Sequence, residues 1–343
     1  MGKLSFWSFL SEQIRDLPLP KESANGKTIT VAGANIGLGL EASIHFGNKK
    51  SNLLIATCRD AAKCEQTLEV LRERCAETQP TSIDSWPLEL SSFDSVRSFA
   101  DRFDVEGPEH LDVLVANAGT FTLVYTQTQD DWEIMLQVNY LSLALLSILL
   151  LPHLLRSTTC DDPSRLVLVS SLGHYQCDPM LKDSHNWDDV LGTINTERFG
   201  VSAQSRYNLS KLFQVTFTRE LAARLPSPTP LVVTAVNPGL CHSSIMRDAK
   251  NSLFGVFFAV VKWLFARTTE MGSRNIVYAA LATNEQAMHG KYMSGCEVVE
   301  ECDYLLSAEG KAFSQKLWRD TIHVLSKVDD RVSQIISMYL PAK

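Results

Sequence analysis

The stretch Thr28-Ile29-Thr30-Val31-Ala32-Gly33-Ala34-Asn35-Ile36-Gly37-Leu38-Gly39 decides the fold. Its first part is rich in β-branched and small apolar residues, which predicts a strand over 28–34. The strand runs directly into the spacing Gly-x-x-x-Gly-x-Gly, made by Gly33, Gly37 and Gly39, and then into a helix over 37–47. Glycines at such a junction let the backbone turn sharply and approach an anion closely. The N–H groups and the positive dipole end of the following helix then face that anion. Asn35, Ile36 and Leu38 fill the turn and are candidate contacts to the same ligand. A glycine-rich turn alone is weak evidence. Placed after the first strand of an alternating chain, it points to a dinucleotide.

The chain does alternate. Strands are predicted over 53–57, 82–88, 111–116, 166–169 and 231–236, and helices over 61–77, 93–103, 132–156, 205–224 and 269–283. The run 111–116 is continuously apolar, as expected of a strand covered on both faces. This order predicts an α/β fold with a doubly wound parallel sheet, Rossmann-like, and helices on both faces. Ligands of such sheets bind beyond the carboxyl ends of the strands. The expected organisation is an N-terminal helical extension over 1–26 and a single dinucleotide-binding catalytic domain over 27–343.

Composition narrows the function classes. The 343 residues include 45% hydrophobic and 21% charged, ordinary for a globular chain able to bury a large core. A net charge of -7, from 32 basic and 39 acidic residues, provides no nucleic-acid footprint. The eight cysteines are scattered without a C-x-x-C pair, which argues for reduced thiols in a cytoplasmic protein and against a disulfide scaffold or a metal site. The start of the chain has no secretory pattern. Two apolar runs, 141–151 and 253–266, fall short of the ~20 residues that span a bilayer. The first is expected to be a buried helix. The second reads as core, as a lid over an apolar pocket, or as a peripheral membrane contact. The aromatic residues Phe6, Trp7 and Phe9 are expected to pack on the body as an amphipathic helix, with membrane contact as the alternative.

Motifs fall where the topology wants them. The second strand ends in Arg59-Asp60, with Lys63 one turn on. Arginine there accommodates a ribose 2′-phosphate, whereas a carboxylate favours a free 2′-hydroxyl. Arg59 and Lys63 favour NADP(H); Asp60 keeps NAD(H) open. Glu89 and Leu90 follow the third strand and could meet an adenine ring. Asn117, Ala118 and Gly119 form a small-residue corner after the fourth, where backbone can lie against the cofactor.

The reactive groups come next. Ser170-Ser171 follows the fifth strand, and Tyr207 and Lys211 lie four apart, on one face of a helix. A tyrosine with a pKa near ~10 is a poor acid or base at neutral pH. A nearby ammonium and an oxidised nicotinamide would lower that value. Tyr207 could then exchange a proton with a carbonyl or alcohol oxygen during hydride transfer. Lys211 can also bond the nicotinamide ribose, and Ser171 can donate to the developing alkoxide.

In ordered sequence these residues resemble the short-chain dehydrogenase/reductase family: Gly33, Gly37 and Gly39; Asn117-Ala118-Gly119; Asn139; Ser171; Tyr207 with Lys211; and Asn237-Pro238-Gly239. The match spans about 27–292. Within the family the chain is most similar to the retinol-dehydrogenase-like branch, especially the fungal secondary-metabolism reductases, through the 34–39 turn, Cys58-Arg59, the run 206–211 and Pro238-Gly239-Leu240-Cys241-His242-Ser243. The resemblance implies a proton relay through Asn139, and contacts from Pro238, Gly239 and Ser243 to the nicotinamide carboxamide.

Departures carry expectations too. Ala32 stands where the family usually has a tethering threonine, which implies a looser turn. Glu89 replaces a usual aspartate, and Ala116 a common asparagine. The gap between Ser171 and Tyr207 is long. Segments 174–204 and 243–268 are therefore expected to shape the substrate pocket. The function expected is NADPH-dependent reduction of a ketone or aldehyde on an apolar small molecule, for instance a polyketide-like intermediate, or the reverse oxidation. Two alternatives remain: a non-redox cyclase or isomerase using the same pocket, and a cofactor-binding scaffold without chemistry. A Ser-x-x-His at Ser171 and His174 lacks the glycine elbow of a hydrolase. A homo-oligomer is compatible with this reading.

Overall fold

The computed structural model describes residues 6–75, 82–156, 162–199, 201–242, 265–283 and 285–340, apart from the side chains of 6–8, 285 and 286. Eight strands form one sheet: β1 (Thr28–Ala32), β2 (Leu53–Cys58), β3 (Ser82–Pro87), β4 (Val113–Ala116), β5 (Ser164–Val169), β6 (Leu231–Asn237), β7 (Lys291–Ser294) and β8 (Glu297–Val299). Their spatial order is β3-β2-β1-β4-β5-β6-β7-β8. All neighbours pair in parallel except β7 and β8, which close one edge antiparallel. The chain reverses its winding between β1 and β4, which opens a crevice at the carboxyl ends of those strands.

Alternation of side chains along the strands builds two cores. Val113, Val115, Val167 and Val169 face one side, beneath the helices α2 (Gly37–Asn48), α3 (Ala61–Arg74) and a later helix, Thr269–Leu281. Leu114, Ala116, Leu166 and Leu168 face the other. That second core is covered by α4 (Phe93–Glu106), the helical stretch 134–156 and α5 (Ala203–Arg224). Two C-terminal helices complete it, Ala308–Val328 and Arg331–Tyr339. Trp318 stacks on Phe217 at 5.6 Å, and the Tyr140 hydroxyl meets Thr321 at 2.7 Å. These helices and β7–β8 were not among the elements read from sequence.

The predicted helix over 132–156 is not one continuous α-helix. It starts as α over Ile134–Leu136, widens to a π-turn over Gln137–Leu141, and resumes over Ser142–Leu149 and Leu151–Arg156. A π-turn accommodates one extra residue, often at a functional site. Asn139 sits inside it, fully buried. Before the sheet, α1 (Phe6–Ile14) docks beside the strand ends that carry the site. Among the described residues, no helix is long and apolar enough to cross a membrane.

Candidate active site

Register brings the motifs together. Ala32 pairs with Ala116, Ala116 with Leu168, and Val169 with Val236. Gly33, Asn117 and Ser170 therefore follow directly on neighbouring strands, beside Asn237 at the end of β6. Asn117, Ser170 and Asn237 border a cleft of about 320 Å³ whose lining includes Leu38, Gly119, Ser171, Tyr207, Lys211 and Pro238.

The glycine turn is tightly built. Gly33 has φ +77°, and a Cβ there would meet the Ala118 Cβ at 2.7 Å. A Cβ on Gly39 would fall 2.1 Å from the Gly33 carbonyl oxygen, so any side chain there would displace the turn. The tether expected to weaken at Ala32 is supplied by other residues. The Thr57 hydroxyl accepts from Gly33 N–H at 3.2 Å, and the Asn117 amide donates to the Ala32 and Gly33 carbonyls at 3.2 and 2.9 Å. Ile36 begins α2 in extended conformation and provides no side-chain cap. The first-turn N–H groups, beside a turn free of side chains at Gly37, fit a phosphate. These features are the cradle a dinucleotide requires. Asn35 lies within that turn, and Leu38 lines the cleft.

Farther out, Arg59 Nε meets Glu89 at 2.9 Å with the guanidinium more than half exposed. Asp60 is occupied. It caps α3 through Lys63 N–H at 2.9 Å and pairs with Lys63 Nζ at 2.7 Å. Glu89 also accepts from the Ser91 N–H and hydroxyl, both at 2.9 Å. Leu90 is buried, and its carbonyl accepts from Ser142 at 2.6 Å.

The residues expected to be reactive sit deeper. Ser171 caps the 3₁₀ turn Leu172–Gln176, where its hydroxyl accepts from Gly173 N–H at 3.2 Å, and it lines the same cleft as Tyr207. Phe121 meets the Tyr207 ring edge-on at 5.8 Å. Burial pushes the Tyr207 phenol up to about 12, with the Ser171 hydroxyl opposing it. Burial also pushes Lys211 down to about 7. Both shifts favour the neutral forms, because burial withdraws the charged ones from water. Lys211 Nζ lies 5.7 Å from the Tyr207 ring centroid and donates to the Val169 carbonyl at 2.8 Å and to Gln214 Oε1 at 3.2 Å.

Asn139 closes the inner end. Its side chain accepts from Thr120 N–H at 2.7 Å and donates to the Thr120 carbonyl and the Ser210 hydroxyl, both at 3.0 Å. Its carbonyl accepts from Gln214 Nε2 at 2.6 Å. A Cβ on Gly119 would stand in ordinary contact with both groups, 3.4 Å from Asn139 Oδ1 and 3.5 Å from Lys211 Nζ, which places both beside Gly119 at the cleft floor. Gln214 was missed from sequence; three residues beyond Lys211 on the same helix is the spacing that could have flagged it.

His174 is buried, pushed down to about 4, and turns Nδ1 to the Ser171 backbone carbonyl at 2.9 Å. It makes no dyad with the Ser171 hydroxyl. Gly173, Gln176 and Gln204 reach the cleft, while Trp187 packs on Phe199 and Phe313. Gly239, with φ +80°, lines the cleft beside Pro238. Ser243 and most of 243–268 lie outside the described residues.

Comparison with known proteins agrees with this geometry. The short chain dehydrogenase family model matches residues 27–177. The short chain dehydrogenase/reductase dmxR8 of Cryptosporiopsis sp. (strain 8999) is 32% identical over 94% of this chain and 98% of its own. Retinol dehydrogenase 13 of Homo sapiens is 29% identical over 89% of this chain and 86% of its own. A Pseudomonas aeruginosa RhlG/NADP active-site complex has the same fold, with TM-score 0.61 and 22% identity over 79% of this chain and 95% of its own. The chain belongs to the short-chain dehydrogenase/reductase family, whose members are oxidoreductases that use nicotinamide cofactors.

Proposed function

We propose that this protein is an NADPH-dependent reductase of a ketone or aldehyde on an apolar small molecule, such as a polyketide-like intermediate of secondary metabolism, or runs the reverse oxidation. The observation that carries this reading is the convergence of Ser171, Tyr207 and Lys211 on one cleft with Asn117 and with Leu38, which sits between the glycines Gly37 and Gly39. A reduced nicotinamide supplies the hydride when bound. Gly33, Gly37, Gly39 and the open first turn of α2 hold the pyrophosphate, while Asn117, Ala118, Gly119, Pro238 and Gly239 supply backbone along the cleft. Ser243 belongs with that last group by its position in sequence.

Tyr207 Oη carries the proton. A neutral phenol near 12 remains protonated at physiological pH and gives its proton to an oxygen that becomes an alkoxide. The Ser171 hydroxyl donates to that same oxygen. Lys211, when protonated, favours the resulting phenolate by its charge. The backbone carbonyl of Asn139 holds Gln214, and Gln214 in turn holds Lys211. An amide is neither acid nor base at neutral pH, so this link positions the lysine.

Cofactor choice rests on Arg59. Its exposed guanidinium can take a 2′-phosphate, while Asp60 is committed to capping α3 and to Lys63. The Pseudomonas relative's NADP complex is consistent with that choice. Gln176 and Gln204 support a pocket role for the two ends of 174–204. The test is a screen of the purified protein against carbonyl compounds with each nicotinamide, following loss of the reduced-nicotinamide absorbance. Product formed without cofactor consumption would overturn the redox reading in favour of an isomerase or cyclase.

A further inference from the structure

We propose that α1, preceding the catalytic sheet, completes the substrate site: Phe9 is a specificity-determining wall of the cleft, and Gln13 is the positioning residue that holds it there. Phe9 lines the same cleft as Ser171 and Tyr207, although 162 and 198 residues separate it from them in sequence. The helix is held on the opposite lip by a paired amide. Gln13 is 5% exposed; its Nε2 donates to the Leu240 carbonyl at 2.6 Å, and its Oε1 accepts from Leu240 N–H at 3.1 Å. One side chain thus satisfies both backbone groups of a cleft-lining residue, as a neighbouring strand would.

The surroundings fit that anchor. Leu240 O also accepts from Arg267 N–H at 2.9 Å, and Arg267 donates from its side chain to the Glu12 carbonyl. The Glu12 carboxylate accepts from the Ser294 hydroxyl, and Ser294 accepts from Asn237 at 2.8 Å at the end of β6. A Cβ on Gly239 would meet Gln13 Oε1 at 3.0 Å, so the glycine lets the loop close against α1. Three consecutive features of the cleft rim, the end of β6, the 238–240 loop and the bridge at Arg267, are therefore tied to one short helix. Phe9 gives the cleft an apolar surface for the apolar body of a substrate.

The inference deepens the proposed function, so the test separates the two. The full-length protein saturated with NADP⁺ is titrated with a series of alkyl phenyl ketones of increasing chain length, and binding is measured by calorimetry. Wild type is expected to bind the longer ketones more tightly. Phe9→Ala is expected to weaken the longer ketones about tenfold, the size of one lost partly buried aromatic contact, and to flatten the dependence on chain length. Gln13→Leu keeps a side chain of similar bulk and is expected to weaken them similarly, while Gln13→Glu, which keeps the acceptor and loses the donor, falls between. NADP⁺ affinity and the unfolding midpoint of Phe9→Ala should match wild type, and Arg15→Ala, at the outer rim pair with Glu297, should bind ketones as wild type does. Unchanged ketone binding in Phe9→Ala, or no ketone binding by wild type, overturns the inference. Ketone binding that depends on Phe9 without any turnover upholds it and overturns the reductase reading instead.

Discussion

Lys211 Nζ donates to Gln214 Oε1 at 3.2 Å, and Gln214 Nε2 donates to the Asn139 carbonyl at 2.6 Å. The π-turn and α5 are therefore joined at the floor of the cleft by one buried amide. Its oxygen accepts from the Lys211 amine and its nitrogen donates to a carbonyl, the orientation that satisfies both neighbours. The lysine is aimed by this contact and by the Val169 carbonyl, while the Tyr207 phenol is left to Ser171.

Gln214→Leu removes the acceptor of Lys211 and the donor of Asn139 together. A buried group left without its partner costs about 1–3 kcal/mol. Turnover is expected to fall about tenfold or more with little change in KM, because the lysine's aim is lost while the substrate walls remain. Gln214→Glu, which restores an acceptor for the ammonium, should recover part of kcat. Steady-state kinetics on both variants check this, and equal kcat in wild type and Gln214→Leu would remove Gln214 from the site.

The buried lysine makes stability depend on pH. Burial holds Lys211 down at about 7 in the folded protein, against 10.5 when unfolded. Above pH 7 the unfolded chain therefore holds a proton that the folded one has released, so folding stability from this group rises with pH. The window is clearest between pH 7 and 9, below the usual thiol value of 9.0, since the buried thiols are raised and act in the opposite sense above it. Urea unfolding of wild type should show a positive slope across that window, and Lys211→Met should flatten it.

Tyr207→Phe keeps the ring against Phe121 and deletes the proton-bearing oxygen. Turnover is expected to drop by about 10²–10⁴, the usual contribution of a positioned general acid. NADPH affinity should stay within about threefold, measured by fluorescence titration, since cofactor binding in our reading is dominated by the glycine turn. Undiminished turnover would remove Tyr207 as the acid.

Arg59→Asp tests cofactor choice. The substitution puts a carboxylate beside Glu89, where the guanidinium now makes a 2.9 Å pair. NADPH affinity is expected to fall at least tenfold and NADH affinity far less, because only the former brings a 2′-phosphate to that corner. Asp60→Asn, which leaves a capping side chain, should alter neither preference. Isothermal titration with both cofactors decides it, and equal losses would reassign the 2′ corner.

The amino-acid order alone determined the parallel sheet, because strand and helix periods alternate, and continuous apolar runs such as that ending at Ala116 imply strands covered on both faces. It also placed Gly33, Asn117, Ser171 and Tyr207 just beyond strand ends or on the following helix, since those motifs are local in sequence and each follows its own strand. The C-terminal helices and β7–β8 escaped because their apolar stripes have meaning only against partners such as Phe217 and Tyr140. Tertiary structure alone decided which contacts complete the site. Asn139 is presented by a π-turn that has no periodic signature, the turn at Ala32 is tethered by Thr57 and Asn117, and Gln13 meets Leu240 across more than two hundred residues. Such pairings follow from the register of the sheet and the docking of helices on it, and no spacing along the chain encodes them.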